Sequence, residues 1–213
     1  DTIHEAKRLL LCTGSEAVRI PIPGAKQEWV YTNREMLDID HIPANLVIIG
    51  GGIIGLEFAT LFSEVGSKVT VIEMLPGIAG ALDDEIRTLL QKSLEKKGIT
   101  FELRAAVTEI GNHQVRFKNA LGEEKSLPAD IVLISAGRRP RSAGCGVENL
   151  HLVMDRAAVK TDEQGRTSVP NVFAAGDING MSMLAHTASR EADVCIDTIL
   201  GVRNRVRYDR IPG

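Results

Sequence analysis

An α/β fold is what this sequence predicts, and three observations carry the prediction. Asn45 to Ile49 is a short apolar run rich in β-branched residues, as in strands buried on both faces. A glycine turn, Gly50 to Gly55, follows at once and opens a stretch of helical period. A second β-branched run, Lys68 to Ile72, comes next and closes on an acid, Glu73. Strand, turn, helix and strand in that order open a Rossmann-like domain. Gly111-Asn112, between two alternating segments, adds an inserted antiparallel β excursion.

Taken in order, Ala6 to Cys12 reads as a buried strand that stops at Thr13-Gly14-Ser15, and Pro21, Pro23 and Gly24 form a connector. Trp29 to Leu37 reads as a short helical piece. After the strand at Asn45, a helix over Ile53 to Val65 turns Ile54, Phe58, Leu61, Phe62 and Val65 inward, and Gly66 ends it. Met74 to Ala81 is a loop. A second helix, Asp83 to Lys97, has acids at its start and lysines at its end, as the helix dipole favours. Ile86, Leu89, Leu90 and Leu94 form its apolar stripe.

Ile99 to Leu103, Ala105 to Ile110, His113 to Lys118 and Lys125 to Leu127 read as strands, with Gly111-Asn112 as a two-residue hairpin loop. Asp130 to Ser135 is the last strand of the domain and closes on Ala136-Gly137-Arg138. A looser stretch, Arg141 to Arg166, leads to a strand at Asn171 to Ala175, then Gly176-Asp177, then a helix over Leu184 to Leu200.

The glycine turn carries the chemistry. Gly50, Gly52 and Gly55 fit G-x-G-x-x-G. The first glycine permits the tight turn, the second lets backbone N–H groups reach a pyrophosphate, and the third lets helix and strand pack closely. Glu73 stands eighteen residues after Gly55 at a strand end, where a carboxylate accepts from ribose hydroxyls. Glycine turns also arise for backbone reasons alone. Here strand, helix, second strand and acid all stand in place, so the reading is a dinucleotide site. No arginine follows Glu73 until Arg87, which predicts NAD over NADP, since a 2′-phosphate would meet a carboxylate.

Composition is that of an ordinary globular protein: 213 residues, 44% hydrophobic, 25% charged, net charge −3. That balance predicts no nucleic-acid partner. Arg203, Arg205, Arg207 and Arg210 crowd the tail and read as an exposed connecting segment. Cys12, Cys145 and Cys195 lie far apart, without metal or disulfide spacing, and read as small, fairly buried hydrophobes suited to a reducing compartment. No apolar run reaches membrane-spanning length, so no membrane association is expected. The chain starts on Asp1 rather than methionine and without signal-peptide character, which suggests a start inside a longer protein.

Thr13-Gly14-Ser15, the Gly50 turn, Ser135-Ala-Gly-Arg-Arg-Pro140 and Val172-Phe-Ala-Ala-Gly-Asp177 occur in that order. Together they resemble the flavoprotein disulfide reductases with two dinucleotide sites. Met183-Leu184-Ala185-His186 brings the likeness closest to the dihydrolipoyl dehydrogenases. The resemblance covers essentially the whole chain. It implies FAD and NAD as cofactors, and hydride passing from dihydrolipoamide through a disulfide and the flavin to NAD. On this likeness residues 1–24 belong to a flavin domain, 25–140 form the NAD domain, and 141–213 return to the flavin domain.

By the same resemblance NAD contacts fall on Gly50, Gly51, Gly52, Ile53, Ile54, Gly55, Leu56, Glu57, Glu73, Val107 and Gly137. Glu57 would lie near the nicotinamide and Val107 against adenine; taken alone, Glu57 reads as a first-turn helix acid. Flavin contacts fall on Thr13, Gly14, Ser15, Asp177, Met183, Leu184, Ala185 and His186. Taken alone Asp177 could be no more than a turn or N-cap aspartate, but the small residues Ala174, Ala175 and Gly176 before it allow close approach of a ligand.

The family's first glycine fingerprint and its C-x-x-x-x-C pair have no counterpart here, nor does the His–Glu pair of its dimerisation domain. No catalytic residue is therefore assigned in this chain, which reads as the middle of such an enzyme and inactive by itself. The likeness further implies a homodimer, association with 2-oxo acid dehydrogenase complexes, and a cytoplasmic or mitochondrial-matrix location. A sister reductase acting on another disulfide or a metal ion, and a stand-alone NAD-binding module, stay open as alternatives.

Overall fold

The computed structural model describes residues 2–212 and divides into two compact units, Asp1–Glu16 with Arg138–Gly213, and Ala17–Gly137. The chain opens in the first unit with β1 (Leu9–Leu11) and β2 (Ser15–Ala17). The second unit follows with β3 (Val30–Tyr31), α1 (Asn33–Met36), β4 (Asn45–Ile49), α2 (Ile53–Glu64), β5 (Lys68–Glu73) and α3 (Asp84–Lys96). It closes with β6 (Thr100–Leu103), β7 (Ala106–Gly111), β8 (Gln114–Lys118), β9 (Glu124–Pro128) and β10 (Ile131–Ile134). The return to the first unit holds β11 (Arg138–Pro140), β12 (Met154–Asp155), β13 (Ala158–Val159), β14 (Val172–Ala174) and α4 (Ala185–Ile199).

The Ala17–Gly137 unit is built on a five-stranded sheet in the order β3-β10-β4-β5-β6, parallel throughout. Successive side chains on a strand point to opposite faces, so both faces must be covered. On β4, Leu46 and Ile48 join one core with α2 and the end of α3, while Val47 and Ile49 join a second. That second face is covered by the antiparallel sheet β7-β8-β9 rather than by a helix, through Ile110, Val115 and Phe117.

Several sequence expectations are corrected here. Trp29 to Leu37 is not one helical piece: Val30 and Tyr31 pair with Val132 and Leu133 as an edge strand, and only then does α1 begin. Thr32 and Glu35 cap α1 reciprocally in a capping box. The hairpin loop is Asn112-His113, because Gly111 still pairs with Gln114, and both loop residues take positive φ (52° and 53°). Within Arg141 to Arg166 lies the small antiparallel pair β12–β13. Of Ala6 to Cys12 only Leu9–Leu11 is strand, paired in parallel with β14.

The apolar faces of both helices are also narrower than their patterns suggest. In α2 the buried set is Gly55, Leu56, Phe58, Ala59 and Phe62, while Leu61 and Val65 are 54% and 45% exposed. Gly55 and Ala59 lie on the buried face with Leu56, Phe58 and Phe62, and Leu61 and Val65 fall on the opposite, exposed side. In α3 only Leu90 and Leu94 meet the core, leaving Ile86 and Leu89 exposed.

In the other unit, β1 and β14 form the central pair, with Leu11, Val172, Ala174 and Ile178 in one core and Phe173, Ala175 and Cys195 in another. Cys195 is buried as expected, but Cys12 and Cys145 are exposed. In the arginine-rich tail Arg203, Arg205 and Arg210 are exposed as expected, and the segment is also anchored. Val206 is buried and its N–H donates to the Glu163 carbonyl at 2.8 Å, while Arg205 pairs with Glu163 and Arg207 with Asp209. Among the described residues no helix is long and apolar enough to cross a membrane, and no group of His, Cys, Asp or Glu is placed to hold a metal ion.

Candidate functional site

The glycine turn lies at the carboxyl end of β4, between β10 and β5, where the sheet is wound in opposite directions from its centre. Ligands of open α/β sheets bind at such a switch point. Gly50 takes φ 109°, and an added Cβ would stand 2.4 Å from the Ser135 carbonyl oxygen. At Gly55 a Cβ would stand 2.5 Å from the Gly50 carbonyl oxygen and 3.3 Å from the Ile48 side chain. The protein's own packing thus demands both glycines. Gly52 differs: its φ is −76°, and nothing lies within 4 Å of where its Cβ would be.

Gly52 is also the N-cap of α2, and no side chain caps that helix. The first N–H groups of a helix lack intrahelical partners and carry its positive dipole end, which suits an anion. Open space before Gly52, free N–H groups and a positive helix end together fit the pyrophosphate of a dinucleotide.

Glu73 sits directly beside the turn. One of its carboxylate oxygens accepts from the Gly51 N–H at 2.6 Å and the other from the Leu75 N–H at 2.7 Å. Each oxygen retains a further lone pair for another donor. From the far side the Ala79 N–H donates to the Gly51 carbonyl at 2.8 Å, and Ile78 is fully buried against the turn. The turn is thereby held in place by the protein's own groups.

Of the other positions expected at this site, Ile53 is exposed, Ile54 half-buried and Leu56 buried in the core, so Leu56 can offer only backbone. Glu57 is exposed in the second turn of α2; the first turn holds no acid, so a plain first-turn dipole role does not describe it. Val107 lies on β7, half-buried, opposite Phe117. Gly137, exposed at φ 111°, ends the unit, and its carbonyl accepts from the Val18 N–H at 3.0 Å.

A second polar cluster lies within the other unit. The Ser15 hydroxyl donates to the Asp177 carboxylate, and Arg138 donates to both the Ser15 hydroxyl and the Ser15 carbonyl at 2.8 Å. Thr13 donates to the Arg141 carbonyl at 2.6 Å, and Gly14, at φ 70°, accepts from the Arg141 N–H at 2.9 Å. Asp177 opens a 3-10 turn after Gly176 and does not cap α4, whose N-cap is Leu184. No side chain caps α4 either, and Met183, Leu184, Ala185 and His186 stand exposed at its start. A His186 ring nitrogen lies 2.9 Å from the Pro212 carbonyl.

Sequence reasoning passed over Arg138 and Glu191. Arg138 directly follows Gly137 and could have been found there. Glu191 is 2% exposed inside α4; nothing in the local pattern marks it, because only tertiary packing buries it. Its carboxylate accepts from the Gly176 N–H at 2.5 Å and from the Tyr208 hydroxyl at 2.8 Å. Burial first, and then that carboxylate, push the Tyr208 hydroxyl pKa up.

The family described as pyridine nucleotide-disulphide oxidoreductase matches residues 1–192. A dihydrolipoyl dehydrogenase from Acholeplasma laidlawii is 43% identical over 202 residues, covering 93% of this chain and 59% of that protein. Dihydrolipoyl dehydrogenase 3 from Pseudomonas putida is 37% identical over 218 residues, covering all of this chain and 47% of that protein. Among solved structures, the HOCl-induced flavoprotein disulfide reductase RclA from Escherichia coli superposes with a TM-score of 0.85 at 29% identity, over 95% of this chain and 47% of that one. A NAD-dependent persulfide reductase from A. fulgidus does so at 0.79 and 30% identity, over 93% and 40%. The chain thus spans about half the length of the relatives it matches.

Proposed function

Because this chain belongs to the pyridine nucleotide-disulphide oxidoreductase family, with a Rossmann-like fold, we propose that its Ala17–Gly137 unit binds NAD for a dihydrolipoyl dehydrogenase. The observation that carries this is the contrast among the three glycines. Two are required by internal packing, and the third faces open space at an uncapped helix start. The N–H groups of Ile53 and Ile54 would hold the pyrophosphate, and Glu73 would take the adenosine ribose hydroxyls on its remaining lone pairs. Val107 would meet adenine, and Gly137 and Glu57 would border the nicotinamide half. On this reading the Ala17–Gly137 unit is the NAD domain, which the sequence set at residues 25–140, and the segments before and after it belong to the flavin domain.

When bound, NAD supplies a hydride acceptor; this chain's residues bind and orient it. In the whole protein Thr13, Gly14, Ser15, Asp177 and the Met183–His186 segment would contact FAD. Dihydrolipoamide would be the substrate, and the active form a homodimer.

Calorimetric titration of the 213-residue chain with NAD tests the reading. Saturable one-to-one binding is expected, without a flavin spectrum and without dihydrolipoamide-dependent NAD reduction, since the sequence holds no closely spaced cysteine pair. Absence of NAD binding by a folded chain would overturn it. The likeness to RclA keeps a sister reductase in view. Turnover of dihydrolipoamide by the whole protein separates the two.

A further inference from the structure

Glu191 is a buried carboxylate to which the NAD reading gives no task. Among the described residues no cation pairs with it; its partners are two neutral donors, the Gly176 N–H at 2.5 Å and the Tyr208 hydroxyl at 2.8 Å. A buried carboxylate is costly even when hydrogen-bonded, and a leucine would fill similar space without that cost. The residue it grips is telling. Gly176 takes φ 79°, is itself buried, and has Ala188 of α4 3.3 Å from where a Cβ would be. Its N–H belongs to the Ala175–Gly176 peptide, one residue ahead of Asp177, which accepts from Ser15, which in turn is held by Arg138.

We propose that Glu191 is a positioning residue of the flavin site: steadied by Tyr208, its carboxylate fixes the Gly176 peptide and so aims Asp177. The inference rests on the reading of Asp177 as a flavin ligand. Without the acceptor, the Gly176 N–H is an unpaired buried donor. The backbone relieves it by rotating the Ala175–Gly176 peptide, which displaces Asp177, the next residue along. Tyr208 acts one step further back. It satisfies the other carboxylate oxygen, which keeps the Glu191 side chain from turning away from Gly176.

The test has two readings. In the 213-residue chain, amide exchange at Gly176 should quicken about tenfold or more in Glu191→Leu, and by less in Tyr208→Phe. Glu191→Gln, which keeps an acceptor oxygen, should stay near the parent. In the flavin-loaded whole protein, Glu191→Leu should weaken FAD about tenfold and Glu191→Gln should restore it. Asp177→Ala serves as the reference for the flavin reading. If Asp177→Ala loses FAD but Glu191→Leu and Tyr208→Phe do not, the positioning role is overturned and the flavin reading stands. If Asp177→Ala keeps FAD affinity, the flavin reading falls and takes this role with it. Unchanged Gly176 exchange in folded Glu191→Leu or Tyr208→Phe overturns the positioning role directly.

Discussion

Replacing the middle glycine of the turn should separate the proposed ligand contact from folding. Gly52 has φ −76° and ψ 174°, a conformation any L residue adopts, and its Cβ would meet nothing within 4 Å. Gly52→Val should therefore leave stability within about 1 kcal/mol of the parent, the reduced unfolded-chain entropy being offset by valine's poorer fit as an N-cap. The new side chain would stand where a pyrophosphate approaches the N–H groups of Ile53 and Ile54. Two charge-assisted hydrogen bonds at about 1.5 kcal/mol each, plus about 1 kcal/mol from the helix end, amount to about 4 kcal/mol. That corresponds to about a thousandfold loss of NAD affinity.

Gly55→Ala is the counterpart. Its Cβ would stand 2.5 Å from the Gly50 carbonyl oxygen, so α2 must move off β4, at about 1–3 kcal/mol of folding stability. The assay pairs urea unfolding with NAD titration of both variants. Gly52→Val binding NAD as the parent does, or losing stability as Gly55→Ala does, would refute the assignment.

Three further outcomes follow from the same geometry. Because Glu73 is held against the turn by the Gly51 and Leu75 N–H groups, NADP should bind more weakly than NAD by a few kcal/mol, about 332/(20 × 4); competitive titration showing equal affinities would contradict this. Thiol labelling of the native chain should modify exposed Cys145 first. Cys12, raised by burial and then by Glu191, should react more slowly, and Cys195, pushed up to about 12 by burial above all, only on unfolding. The Glu35 carboxyl is opposed by burial, yet bonds from Thr32 and the Arg19 guanidinium hold it at about 2 against an ordinary 4.5. Its contribution is complete above about pH 4.5 and lost as pH falls toward 2, so Glu35→Gln should flatten that limb of the stability curve. The side chain is 43% exposed, so the effect should stay below about 1 kcal/mol.

The core of the Ala17–Gly137 unit was legible in the sequence because each of its signals is local. Asn45–Ile49 matches its strand residue for residue, α2 starts at the expected Ile53, and Glu73 closes β5. Backbone constraint at Gly50 and close packing at Gly55 are consequences of a turn that few residues can make, so the turn can be recognised without its partners. The first turn of a helix likewise exposes its N–H groups whatever surrounds it.

Other features were decided only by tertiary structure. Val30–Tyr31 is a strand because β10 lies beside it, and two residues have no periodicity of their own. Leu61, Val65, Ile86 and Leu89 carry a helical pattern but face outward, because α2 buries the face that holds Gly55, Phe58, Ala59 and Phe62, and of α3 only Leu90 and Leu94 reach the core. The hairpin loop moved by one residue because the pairing of Gly111 with Gln114, not the Gly-Asn dipeptide, sets its register. Glu191 shows the limit most plainly. Its burial, its bond to Gly176 fifteen residues earlier and its bond to Tyr208 seventeen residues later come from the fold, and no spacing in the sequence announces them.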